Sequence, residues 1–146
     1  MTKIQSDVSS LYASLKNAQG NSYSEAIAID KAARALNDDL TRANSDAQAA
    51  AALNQAQGKA LLTILSATYP NVSLVSQRLI ALEPKWKQIG IAGVAKNDIN
   101  TIAQSTQTFG ATLVGKAPAS LKASASALAG KYNSALASAV AAYARD

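Results

Sequence analysis

The chain has 146 residues, 49% of them hydrophobic, and a formal net charge of +5. That length fits one domain, residues 1–146, with a core that needs no covalent staples. There is no cysteine and no histidine, which excludes disulfides, thiolate chemistry, an ordinary hydrolase triad and the commonest metal ligand.

Alanine fills 33 positions against three prolines and seven glycines, a composition that favours helix. Valine, isoleucine and threonine never form alternating runs, so no strand is expected. Apolar residues instead recur at steps of three and four, the spacing of one helix face. The first stripe is Ile4, Val8, Leu11, Leu15 and Ala18, ended by Gly20 and Asn21. Ser22 or Ser24 then caps a second helix with stripe Ile29, Ala33, Leu36, Leu40, Ala43 and Ala47. The third runs from about Leu53 to Leu82 and contains Pro70. A proline removes a backbone hydrogen bond, so a kink or short break is expected near Ala67–Pro70.

Residues 83–98, EPKWKQIGIAGVAKND, carry the only tryptophan together with Pro84, Gly90 and Gly93. This reads as a corner between two helices. Pro84 suits a turn or a helix start, the glycines allow unusual backbone or close approach, and Trp86 plugs the end of the bundle. The fourth stripe is Ile91, Ala95, Ile99, Ile102, Thr106, Phe109 and Leu113. Gly115–Pro118 break it. The fifth reads Leu121, Ala125, Leu128, Tyr132, Leu136, Ala139 and Tyr143. The fold class is all-α, a five-helix bundle.

Charge is uneven. Residues 1–46 hold six acids and five bases, while residues 47–145 hold Glu83 and Asp98 against nine bases. A basic half is compatible with an anionic polymer as partner. The bases stand singly, without interleaved aromatics, so nucleic acid is not expected as a partner. Asp38 and Asp39 are adjacent and diverge on a helix, and Asp30 with Arg34 has the spacing of a surface ion pair. No phosphate loop is present and no apolar run is long enough to span a membrane. The N-terminus lacks a signal-peptide core. Either the protein stays in the cell or it is a mature form with an added Met1. Asn71-Val72-Ser73 is a glycosylation sequon that has meaning only in a secreted chain. No cofactor is implied, and the chemistry points to a binding protein, not an enzyme.

Many stripe positions are alanine, serine or threonine. Either the helices approach closely, or a few large residues hold them apart and the small ones line an elongated apolar void. Interiors rarely leave voids, so such a void would be a ligand site.

The run LEPKWKQIGIAGVAKNDI and the later TFGATLVGKAPASLKASASALAGKYNSALASAVAAY resemble the fungal hydrophobic surface binding protein A, or cell-wall galactomannoprotein, family. The matching pieces are Pro84–Lys85–Trp86, Gly90–Ile91–Ala92–Gly93, Lys116–Ala117–Pro118 and Ala141–Ala142–Tyr143. The N-terminal half agrees more loosely. Trp86 stands where the family usually has phenylalanine. The resemblance implies a secreted or wall-associated helical protein that adsorbs to hydrophobic surfaces or binds fatty acids within the bundle. It raises the void above close packing. The chain of a lipid would then run along Leu61, Ile64, Leu65, Val72, Val75, Leu79, Ile102, Phe109, Leu113, Leu128 and Leu136. Its polar head would need a donor, with Tyr12, Tyr69, Gln107 and Tyr132 as candidates. Each buried methylene would contribute about 0.8 kcal/mol. The alternative is a cavity-free bundle that adsorbs to hydrophobic surfaces or wall polymers.

Overall fold

The computed structural model describes residues 2–146, apart from the side chain of Thr2. It has five helices: α1 (Thr2–Asn17), α2 (Tyr23–Ala49), α3 (Gln55–Gln88), α4 (Ala92–Lys116) and α5 (Lys122–Ala142). A 3₁₀ turn, Ala119–Leu121, precedes α5. No strand occurs among the described residues.

The helices close into a ring. α1 packs on α2 and α3, α2 packs also on α4, and α5 completes the circuit between α4 and α3. α3 and α4 follow one another in sequence yet barely touch. This order decides what lies inside. At the usual interaxial spacing of 8–10 Å, five helices in a ring leave a bore of radius roughly 3 Å, against roughly 2 Å for four.

α2 and α4 run parallel, because each α2 position pairs with an α4 position at a constant offset. Ser105 Oγ donates to Asn37 Oδ1 at 2.6 Å, and Thr112 Oγ1 donates to Asn44 Oδ1 at 2.6 Å. One heptad earlier the carboxyls of Asp30 and Asp98 share a hydrogen bond. Polar rungs at heptad spacing fix register, because a slip would leave each rung unpaired.

Helix ends explain the scattered bases. The last carbonyls of a helix lack intrahelical donors and carry partial negative charge. Arg78 of α3 donates from Nε to Leu15 O at 2.9 Å and from Nη2 to Ala18 O at 2.5 Å, at the end of α1. Lys116 of α4 reaches Gln48 O and Ala50 O at the end of α2. Lys122 reaches Val114 O at 3.0 Å, and Lys96 reaches Ala144 O at 3.0 Å, just past α5. Four of the nine bases in residues 47–145 thus close the ends of other helices. This accounts for much of the charge asymmetry without an anionic partner.

The starts follow local chemistry. Ser22 is the cap of α2, accepting from the Glu25 amide. α3 begins at Gln55, behind an Asn54–Gln57 capping box that the apolar stripe did not reveal. Of the kink or short break expected near Pro70, the break does not occur, and the start expected at Pro84 is corrected; both prolines lie inside one helix of 34 residues. Tyr132 OH donates to Leu65 O and Tyr143 OH to Leu79 O, both at 2.6 Å. Each acceptor stands five residues before a proline, next to the carbonyl that the proline deprives of its amide donor, so α5 ties down α3 beside both prolines. The corner falls later, at Ile89–Ile91. The Gly90 amide bonds Lys87 O and the Ile91 amide bonds Trp86 O, with Gly90 at φ +79°. This is a Schellman end, and it requires the left-handed residue. Gly93 lies inside α4 in open space and makes no close approach.

Candidate functional site

The bore of the ring is an apolar cavity of about 130 Å³, roughly ten times what one water needs. It runs along the bundle from Leu53, Gly58, Ala117 and Leu121 at one end to Ile29, Ala95, Asp98 and Trp86 at the other. Along α4 alone, Ala95 to Val114 is about 29 Å. Some of the small stripe residues line it, and Ala18, Ala43, Ala47 and Ala139 do not. Ala33, Gly58, Thr68, Ala95, Thr106, Gly110, Ala125 and Ala129 all face the space, where larger side chains would fill it. Leu15, Leu82 and Tyr143, all fully buried, are not part of the lining.

Of the residues expected along a lipid chain, Leu61, Leu65, Val72, Val75, Leu79, Ile102, Phe109, Leu113, Leu128 and Leu136 line the cavity. Ile64 does not; it is half-buried on another face of α3. The head-group donors fare differently. Tyr132 lines the cavity, but its hydroxyl is engaged by Leu65 O, and burial pushes that hydroxyl well above the ordinary tyrosine range. Tyr69 lies off the cavity, with its ring edge-on to Tyr132 at 5.4 Å. Tyr12 is half-buried and packs against the core, and Gln107 is exposed. Asn71 is half-buried within α3, directly after Pro70.

The two ends differ. Around Trp86 the lining side chains Ile29, Leu79, Ile99 and Ile102 are buried. At the other end Leu53, Leu61, Leu62, Leu113, Leu121 and Leu128 are only half-buried. The cavity is closed at the tryptophan and more open away from it. Trp86 is 2% exposed, the plug the sequence led us to expect, and its Nε1 has no hydrogen-bond partner among the described residues. Behind it lies a second cleft lined by Tyr23, Ile27, Asp30, Trp86, Ile91, Val94 and Asp98. Tyr23, Ile27 and Val94 are more than half or half exposed there, at 61%, 68% and 50%, and form an apolar surface patch.

The lining contains no lysine or arginine among the described residues, and Asp98 is its one charged side chain. Burial first, then the hydrogen bond and charge of Asp30, push the Asp98 carboxyl up to about 7. The same bond, with Arg34 at 3.0 Å behind it, holds Asp30 below the ordinary range. Sequence reading saw Asp30 and Arg34 as a surface pair and missed Asp98. The available signal was the heptad spacing of Asp30, Asn37 and Asn44 and of Asp98, Ser105 and Thr112. Among the described residues no acid cluster could hold a metal, and no helix is long and apolar enough to cross a membrane.

The fold has solved counterparts. Ligand-binding domain 2 of the Penicillium marneffei MP1 protein, complexed with multiple arachidonic acids, superposes at TM-score 0.91 with 16% identity, over 99% of this chain and 92% of that one. The protein AFMP4P, in complex with palmitic acid, gives 0.91 with 22% identity, over 97% and 93%. Ligand-binding domain 1 of MP1, complexed with arachidonic acids, gives 0.90 with 15% identity, over 97% and 92%. At such identities the likeness establishes the five-helix fold. No curated protein sequence matches significantly. The family model for hydrophobic surface binding protein A matches residues 1–115, and the chain belongs to that family.

Proposed function

We propose that the chain, acting as one domain, is a non-enzymatic lipid-binding protein that holds a fatty acid or similar long-chain lipid along the bore of its helical ring. The observation that carries this is the continuous cavity, lined by all five helices with almost wholly apolar side chains. A bore of roughly 3 Å radius admits an alkyl chain, whose carbon contact radius is about 2 Å. Buried methylenes at about 0.8 kcal/mol each supply the affinity. The arachidonic and palmitic acids in the related folds support the same ligand class. A secreted or wall-associated site of action in a fungus agrees with the family. Native mass spectrometry of the purified protein, followed by extraction, tests the reading. A stoichiometric adduct that extracts as a long-chain lipid is expected. A bare mass that stays bare after incubation with several fatty acids would sink it.

Adsorption to hydrophobic surfaces is a second reading, favoured by the patch of Tyr23, Ile27 and Val94. Replacing Ile27 and Val94 with serine should then lower adsorption to polystyrene while lipid uptake persists. Unchanged adsorption would remove this patch from the account.

A further inference from the structure

The closed end of the cavity is not apolar to its tip. Trp86 Nε1 is a buried donor without an acceptor, and Asp30 Oδ1 is a buried acceptor whose one donor is the proton shared with Asp98, so it is left unpaired once that proton leaves. Trp86 and Asp98 line both the cavity and the cleft behind it, and Asp30 lines that cleft. The α2–α4 seam sharpens the contrast. Its other two rungs set a hydroxyl donor against an amide oxygen, whereas this rung sets one carboxyl against another. An indole N–H only donates and a carboxylate only accepts. Leaving either buried and unpaired costs free energy.

Both needs are met by a group that accepts one hydrogen bond and donates one. A hydroxyl does this. An ammonium has no acceptor. An ionised carboxylate has no donor, would face Asp98, and finds no cation in the lining. Arg34 is held by Asp30 and its side chain is 68% exposed, so it draws charge outward. The charged groups around Asp98 are Asp30 and Arg34 of α2, with Asp38 acting on Arg34; α3 contributes uncharged Trp86.

We infer that the closed end binds a neutral hydroxyl group, carried by a long-chain alcohol or a protonated fatty acid, between the Trp86 indole N–H and the Asp30–Asp98 carboxyl pair. This rests on the cavity being a lipid site and adds which end reads the polar group and what it reads.

The test compares dodecane, 1-dodecanol and dodecanoic acid on the full chain, from about pH 5 to about pH 9, a range that spans the upward-shifted carboxyl. Binding is followed by calorimetry and by emission of the single tryptophan. Dodecanol does not titrate, so any pH trend in its affinity reports the carboxyl pair. It should bind severalfold tighter at high pH, where an ionised Asp98 accepts its proton more strongly. Dodecanoic acid should move the opposite way, and dodecane should not respond. Trp86→Phe keeps the plug and removes the N–H. It also trims the wall, so every ligand shifts; dodecanol should lose about tenfold more than dodecane does, or about 1.4 kcal/mol. Asp98→Asn should flatten the dodecanol trend, and it keeps the test decisive if Trp86→Phe loses helical signal. If dodecane binds but dodecanol follows it in every pH and variant comparison, the inference is overturned while the cavity reading stands. If none of the three binds, both fall.

Discussion

At the scale of single residues, the bundle places titratable groups where their protons matter. Asp98 keeps its proton up to about pH 7 in the fold, against an ordinary aspartate value near 3.9 when unfolded. Between about 4 and 7 the folded state therefore binds a proton that the unfolded chain has released, so stability falls as pH rises through that window and levels above it. Asp7, raised to about 6 by burial and then by Asp39, adds to the same trend. Asp30 is lowered and acts in the opposite sense, losing its contribution only as pH drops below the ordinary range. Urea midpoints should decline from about pH 4 to about pH 7, and Asp98→Asn should remove the upper part of that slope. Tyr143 gives a simpler case. It is fully buried and its hydroxyl donates to Leu79 O at 2.6 Å, so Tyr143→Phe should cost about 1 kcal/mol in denaturant unfolding. Trp86 was legible as a plug because a lone large aromatic at a helix corner has few other uses. Its unpartnered N–H was not legible, and the Asp30–Asp98 contact left only matching heptad spacings in the sequence, since the fold alone brings together carboxyls 68 positions apart.

At the scale of elements, the stripes located five helices within a few residues, because burial of one face decides where a helix lies. Their ends were harder. Pro84 and Gly90 both mark a corner, yet the chain runs through the proline and turns at the glycine. A proline removes a single backbone bond, which a helix of 34 residues packed along its length can absorb, whereas a left-handed residue cannot continue a helix. The basic half was open to an external reading because sequence does not say what a lysine faces. Arg78 tests the internal one. Arg78→Met keeps most of the side-chain packing and uncovers two carbonyls at the end of α1. It should destabilise by about 1.5–3 kcal/mol, while Lys131→Met, at an exposed base on α5, should stay within about 0.5 kcal/mol. Equal effects in thermal or urea unfolding would show that the α1 end does not depend on Arg78.

At the scale of the whole molecule, the cavity follows from ring closure combined with small side chains. The small residues could be read from the sequence, but the ring could not, because two adjacent helices that barely touch leave no trace in periodicity. Filling the bore separates packing from binding. Ala125→Leu on α5 points extra methyl groups into the space, so the ligand-free protein should hold or gain stability while uptake of a twelve-carbon ligand falls. Thermal melts with and without dodecanol read both effects. The contrast between the two ends has a further consequence. The walls tighten around Trp86 and loosen toward Leu61, Leu62 and Leu121. A guest seated against the tryptophan has its surplus carbons at the looser end, where the walls set no firm limit. Such a receptor discriminates at one terminus and is tolerant at the other, so affinity should climb with chain length and then plateau, with no single best-fitting homologue.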